Sequence, residues 1–211
     1  MKCVIITNGD IEYTKKTALL IKKAELIICA DGGARHLRAL DILPDILIGD
    51  FDSIKTEDKI FFEKKKIKTL VFPSKKNLTD TEICINYAIQ KKAKDITLLG
   101  AIGTRFDHTL ANILFLKNLT TKGINSKIIN KNNEIYLINN FIKLIGKKND
   151  ILSIIPISKK VMGIRLKGFK YPLKNTTLKI GSGLGISNVF KKNKVCISIQ
   201  KGILLVIKSK D

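Results

Sequence analysis

The first two thirds of the chain carry five short, almost wholly apolar runs, at residues 4–7, 26–30, 46–48, 69–72 and 96–99. Apolar runs of this length without polar alternation suit strands covered on both faces, as in a parallel sheet. Segments of helical character lie between and after them, at 15–23, 34–40, 56–66, 80–92 and 107–120. Strand and helix in alternation predict a doubly wound α/β domain with a mostly parallel sheet. Past about Asn140 the rhythm changes to strand-like runs at 151–157, 161–166, 177–180, 195–199 and 204–207, separated by Gly, Pro, Asn and Lys turns. The expectation is an α/β domain over 1–139 and a smaller all-β, sandwich-like domain over 140–211.

At 211 residues the chain can bury a real core. No apolar stretch approaches the roughly 18–20 residues of a spanning helix, so no membrane role is expected. The opening MKCVIITNGD reads as a first strand, its apolar run too short for a secretory signal, and the expected location is cytoplasmic. Cys3, Cys29, Cys84 and Cys196 lie far apart in apolar surroundings without metal-ligand spacing, which favours reduced thiols over a zinc site. The net charge of +21 by itself suggests a nucleic-acid or other anionic partner. The lysines, however, come as scattered pairs such as Lys15-Lys16 and Lys191-Lys192, with no basic stripe and no interleaved aromatics. A solvated basic surface and no specific nucleic acid is the reading preferred, with a nucleic-acid-binding module as the alternative from another class.

TNGD, ADGG, GDFDS and GAIGTR each follow a predicted strand. In an open α/β sheet, ligands bind outside the carboxyl ends of the strands, so these polar residues collect on the functional rim. The acids there are Asp31, Asp50, Asp52, Asp80 and Asp107. Asp50 and Asp52 flank Phe51, and if the chain stays extended through GDFDS both carboxylates face one side, with Phe51 turned into packing. A metal site, a cation pocket and a plain surface turn are all compatible with that stretch. Aspartates so gathered repel one another unless a cation neutralises them, and a hard divalent ion such as magnesium with a nucleotide phosphate fits. Singly, each also fits a turn or a helix N-cap, as Thr79 or Asp80 does before ICINYAIQ. Gly32-Gly33 allow a sharp turn into a helix whose amides can meet an anion, and Gly100 and Gly103 do the same in GAIGTR, with Arg105 as a phosphate partner. Neither stretch matches a P-loop or a full dinucleotide fingerprint. His36 reads as structural or surface, His108 as either a site residue or part of a helix start, and GSGLGISN as a flexible glycine turn between strands, with a plain hairpin loop as the alternative.

Taken in order, ADGGARHL, PDILIGDFDS, NLTDTE, GAIGTRFDHTLANI, GIRLKGFKYPL, GISN and GILLVIKS make the chain resemble the thiamine pyrophosphokinase family over nearly its whole length. The resemblance implies an α/β nucleotide-binding domain followed by a β-sandwich domain that binds thiamine and dimerises. It implies transfer of the β,γ-diphosphoryl group of ATP to the thiamine hydroxyl, giving thiamine diphosphate and AMP, with Mg2+ required. Asp31, Asp50, Asp52 and Asp80 would form the acidic site, with Asp50, Asp52 and Asp80 holding the metal. Thr79, Gly100, Gly103, Arg105 and Asp107 would bind nucleotide, and Ser187 and Asn188 would lie near thiamine. A homodimer with active sites at the subunit interface is implied, in which Ser187 and Asn188 serve the partner's site. The chain departs from the family pattern at Asn77 and Val189, where an acid is common. An archaeal-type hydroxymethylpterin diphosphokinase resembles the N-terminal motifs as well, whereas the YPL and GISN elements favour thiamine.

Overall fold

Strands β1 (Lys2–Ile6), β2 (Leu26–Ala30), β3 (Ile46–Gly49) and β5 (Asp95–Leu99) bury nearly every residue, whereas β4 (Lys68–Val71) does not. The reason is visible in a computed structural model of the chain, which describes residues 1–52, 54–73 and 77–210. The chain divides into two compact units, the first made of Met1–Phe115 with Gly123–Lys131, the second of Leu116–Lys122 with the chain from Asn132 onward.

In the first unit six strands, including β6 (Asn125–Ile129), run parallel in the order β4-β3-β2-β1-β5-β6. The helices are α1 (Lys15–Lys22), α2 (Ala34–Ala39), α3 (Thr56–Lys64), α4 (Asp80–Gln90) and the first part of α5 (Phe106–Thr121). Val4, Ile6, Cys29 and Leu47 of the strands pack with Ile21 of α1, Leu37 of α2 and Phe62 of α3 into one core cluster. α4 packs against β1, β2 and β3 and buries Cys84, Ile85 and Ala88. The inner strands are thus closed in and lose their polar alternation, while β4 at the edge keeps lysine and threonine. The chain steps outward from β1 to β4 and then returns to set β5 on the other side of β1. That reversal makes the carboxyl ends of β1 and β5 the switch point, the place beside which open α/β sheets bind their ligands.

In the second unit two antiparallel sheets form, in the orders β12-β9-β14-β7 and β11-β10-β13-β8. Their strands are β7 (Asn133–Ile138), β8 (Phe141–Ile145), β9 (Ile151–Pro156), β10 (Lys160–Lys167), β11 (Leu173–Lys179), β12 (Asn188–Val189), β13 (Lys194–Ser198) and β14 (Leu204–Ser209). Leu152, Ile154, Leu204 and Val206 of one sheet share a core with Val161, Ile164, Leu166, Val195 and Ile197 of the other, as in a sandwich. Alternate residues of β9 are buried, the half-covered pattern of such sheets. Lys208 of β14 and Asp150 form a largely shielded ion pair at 2.9 Å, and Lys208 also donates to the Ile145 carbonyl at 3.1 Å. Residues 181–187 follow β11 in one sheet and lead to β12 in the other, so GSGLGISN is a glycine-rich turn between strands of different sheets, and the hairpin alternative does not hold. Strands β6, β7, β8 and β12 are additions to the sequence-based expectation. No helix among the described residues is long and apolar enough to cross a membrane.

Candidate active site

The loops leaving β1 and β5 are stitched together through main-chain bonds. Thr7 N–H donates to the Leu99 carbonyl at 2.9 Å, Gly9 N–H to Gly100 at 2.6 Å and Asp10 N–H to Ile102 at 2.8 Å. A Cβ on Gly9 would collide with the carbonyls of Gly100 and Ile102, so a side chain there would force the two loops apart. Beside them opens a cavity of about 350 Å3 whose lining includes Asn8, Asp31, Asp80, Gly100, Gly103 and Arg105. Helix α5 braces its floor: the Asn112 side chain donates to the Ala101 carbonyl at 2.9 Å, and Thr109 Oγ1 accepts from Gly103 N–H at 3.3 Å.

Three acids converge at this rim. Asp31 closes β2 inside a single 3-10 turn, Asp31–Gly33, and is 4% exposed. Asp50 follows β3 and is half-buried, and Asp80 is the first residue of α4. One carboxylate oxygen from each lies within 4.8 Å of the other two. Gly49 makes that approach possible, because a Cβ there would stand 2.7 Å from the Asp31 Cβ. Three acidic oxygens this close repel one another, and a hard divalent cation is the natural neutraliser.

Asp52, the expected companion of Asp50, is exposed and lies outside this group of three. The strand ends at Gly49, and Phe51 adopts a left-handed φ of 62°, so the alternation through GDFDS does not continue. Phe51 still packs against the first unit's core, and Asp52 N–H donates to Asp50 Oδ1 at 3.3 Å. Ser53 of the same motif lies outside the described residues.

Among the expected nucleotide residues, Gly100, Gly103 and Arg105 line the cavity. Arg105 makes a two-pronged pair with Asp107, at 2.6 Å through Nη2 and 3.3 Å through Nε, and both side chains are exposed. The Arg105 guanidinium beside it holds the Asp107 carboxyl below the usual carboxylate range. Thr79 is the N-cap of α4, its hydroxyl accepting from Glu82 N–H at 3.2 Å, while Thr81 reaches the cavity lining. His108 lines the cavity from an exposed position. Asn8, Thr109 and Asn112 were not singled out from the sequence. Arg105, His108 or Thr109, and Asn112 recur at the i, i+3/i+4, i+7 spacing of one helix face, and that spacing was the available signal.

In the second unit Ser187 is exposed with a left-handed φ of 55°, and its N–H donates to Ser153 Oγ at 3.0 Å. Asn188 is 2% exposed. Its Oδ1 accepts from Tyr171 N–H at 3.1 Å and Val189 N–H at 2.8 Å, and its Nδ2 donates to the Tyr171 carbonyl at 2.7 Å. The amide side chain therefore clasps the main chain of the exposed Tyr171.

Residues 17–128 match the family model described as thiamin pyrophosphokinase, catalytic domain, and residues 139–204 match its vitamin B1 binding domain. The chain is 34% identical to the thiamine pyrophosphokinase of Bacillus subtilis strain 168 over 188 residues, 88% of each chain. It is 26% identical to thiamine pyrophosphokinase 1 of Arabidopsis thaliana over 227 residues, covering 92% of this chain and 82% of that one. A crystal structure of the Bacillus subtilis enzyme superposes with a TM-score of 0.90 at 30% identity, covering 100% of both chains. The thiamin pyrophosphokinase structure from Candida albicans, at 23% identity and a TM-score of 0.83 over 99% of this chain and 89% of that one, shows the same fold. The chain thus belongs to the thiamine pyrophosphokinase family, transferases that form thiamine diphosphate from thiamine.

Proposed function

We propose that this protein transfers the β,γ-diphosphoryl group of ATP to the hydroxyl of thiamine, releasing thiamine diphosphate and AMP. The observation that carries the reading is the convergence of Asp31, Asp50 and Asp80, of which Asp31 and Asp80 line the cavity together with the glycine loop that leads to Arg105. Diphosphoryl transfer asks little covalent chemistry of a protein; it asks for positioning and for neutralisation of charge on the phosphate oxygens. The three carboxylates fit Mg2+, an oxygen-seeking ion, and Asp52 completes the acidic rim from its exposed position. When bound, magnesium supplies charge stabilisation on the phosphate oxygens. The main chain at Gly100 and Gly103 lets the triphosphate approach closely. Arg105, oriented by Asp107, meets its outer oxygens, and Thr79 sets the start of α4 so that Asp80 faces the site. A rim carboxylate accepts the proton of the thiamine hydroxyl, and the same acids suit the cationic thiazolium.

Residues 140–211 take the thiamine-binding and dimerising role in this reading. Ser187 contacts thiamine, with Asn188 fixing the main chain of Tyr171 beside it, and in a homodimer each pair serves the site of the partner. The test is incubation with ATP, magnesium and thiamine followed by product analysis. AMP and thiamine diphosphate in equal amounts are expected; ADP as the nucleotide product, or nucleotide turnover independent of thiamine, overturns the proposal.

A further inference from the structure

His36 is 3% exposed although it belongs to a helix of only six residues. Its Nε2 lies 2.8 Å from the Gly9 carbonyl and its Nδ1 2.8 Å from the Tyr13 hydroxyl. A carbonyl only accepts, so Nε2 carries the proton, and in the neutral ring Nδ1 accepts from the Tyr13 hydroxyl. Burial pushes the His36 pKa below its ordinary value of 6.5, which keeps the ring in this neutral form. The preceding side chain, Arg35, donates through Nη2 to the Asn8 carbonyl at 2.6 Å. Consecutive residues of α2 thus hold consecutive carbonyls of the loop after β1.

The peptide groups so held also face the other way. Gly9 N–H and Asp10 N–H bind the carbonyls of Gly100 and Ile102. Asp31 lies in the turn that runs directly into α2, whereas Arg105 lies on the loop continuing from Gly100. His36 is therefore, with Arg35, a side-chain tie between the segment that carries a buried acid of the trio and the segment that carries the nucleotide-facing glycines, and of the two it is the buried one.

We propose that His36 is a positioning residue for diphosphoryl transfer: its Nε2–H bond to Gly9 holds Asp31 and the Gly100–Arg105 loop at the separation the reaction needs. The inference rests on the function proposed above. In-line transfer is sensitive to small errors of placement, and a displacement of about 1 Å can cost roughly 100-fold in rate. Ground-state contacts of the nucleotide with the glycine loop itself would persist, so the loss falls on kcat more than on KM.

Two substitutions separate the ring nitrogens. His36→Gln keeps a side-chain N–H near the place of Nε2 and loses the Nδ1 contact; His36→Asn does the reverse. His36→Asn and His36→Leu are expected to lower kcat by about 10- to 100-fold with the KM for ATP changed by less than about threefold, while His36→Gln stays within about threefold of the unsubstituted chain. Equal kcat in all three variants, with only the thermal midpoint lowered, would show that His36 merely supports the fold and would overturn the proposal. Absence of turnover in the unsubstituted chain would count against the functional reading alone. The tie is then read from amide hydrogen exchange at Gly9 and Asp10 in the ligand-free protein. Faster exchange in the Asn variant but not in the Gln variant upholds it, and identical exchange in both overturns it.

Discussion

Asp31 in the first unit and Asn188 in the second are both polar, both within the stretches that match the family models and both almost fully buried, yet their surroundings have opposite consequences. Asp31 meets two further carboxylates at the mouth of a cavity. Ionised carboxylates repel one another, and a cation would neutralise the group. Asn188 meets the N–H and C=O of Tyr171 and the N–H of Val189, and its amide satisfies a peptide group from both ends. Burial and motif membership do not separate ligand contact from scaffold; the chemistry of the partners does.

The contrast is broken most directly by substitution at the acids. Asp50→Asn is expected to lower turnover by about 100-fold or more while changing stability by no more than about 1 kcal/mol, since the position is half-exposed and serves charge placement. Asp52→Asn is expected to cost about tenfold or less, because Asp52 lies outside the group of three. Steady-state assays at saturating magnesium decide between them, and a larger loss at Asp52 would reverse the assignment.

Asn188→Ala should do the opposite of Asp50→Asn. Removing a buried amide leaves the Tyr171 peptide group unsatisfied at a cost of about 1–3 kcal/mol, readable as a lower denaturation midpoint. Ser187→Ala should leave stability within about 0.5 kcal/mol and raise the KM for thiamine about 2- to 10-fold, the worth of one hydrogen bond. Unchanged stability in Asn188→Ala would remove its scaffold role.

A smaller effect distinguishes the second unit by pH. Burial works to raise the Asp150 pKa, but the Lys147 N–H and the Lys208 ammonium prevail and leave it below its usual 3.8. The unfolded chain then binds more protons than the folded one, so stability rises with pH through this window, is fully present above about pH 4 and is lost as pH falls through the lowered value. In Lys208→Met the folded-state pKa of Asp150 moves back toward its unfolded value, so the acid-side loss of stability should be smaller than in the unsubstituted chain. Coincident acid titrations of the two would refute the role of the pair.

The inner strands were legible in the sequence because both their faces are covered, which writes continuous runs such as CVII, LIICA and ILIG. β6, β7 and β8 were not, because their burial is partial; β8 sits at a sheet edge and exposes Phe141 and Ile145. β11 was read only at its end, since its earlier residues are polar and Asn175 has a left-handed φ of 57° within it. The site was legible as acids following strands. That Asp31, and not Asp52, lies within 4.8 Å of both Asp50 and Asp80 was not, because it depends on the turn at Phe51 and on the space left by Gly49. His36 and Asn112 act on main-chain carbonyls, and contacts of that kind leave no fixed residue partner to find in a sequence.

In the proposed function Asp31, Asp50 and Asp80 act together on a metal-bound nucleotide. A crystal structure with magnesium and a non-hydrolysable ATP analogue tests it most directly. The account predicts a magnesium ion in the cavity bound by oxygens of this trio at about 2.0–2.1 Å and bridging to the phosphates. An ion held by the phosphates and Asp52, with none of the three in its coordination shell, would contradict it.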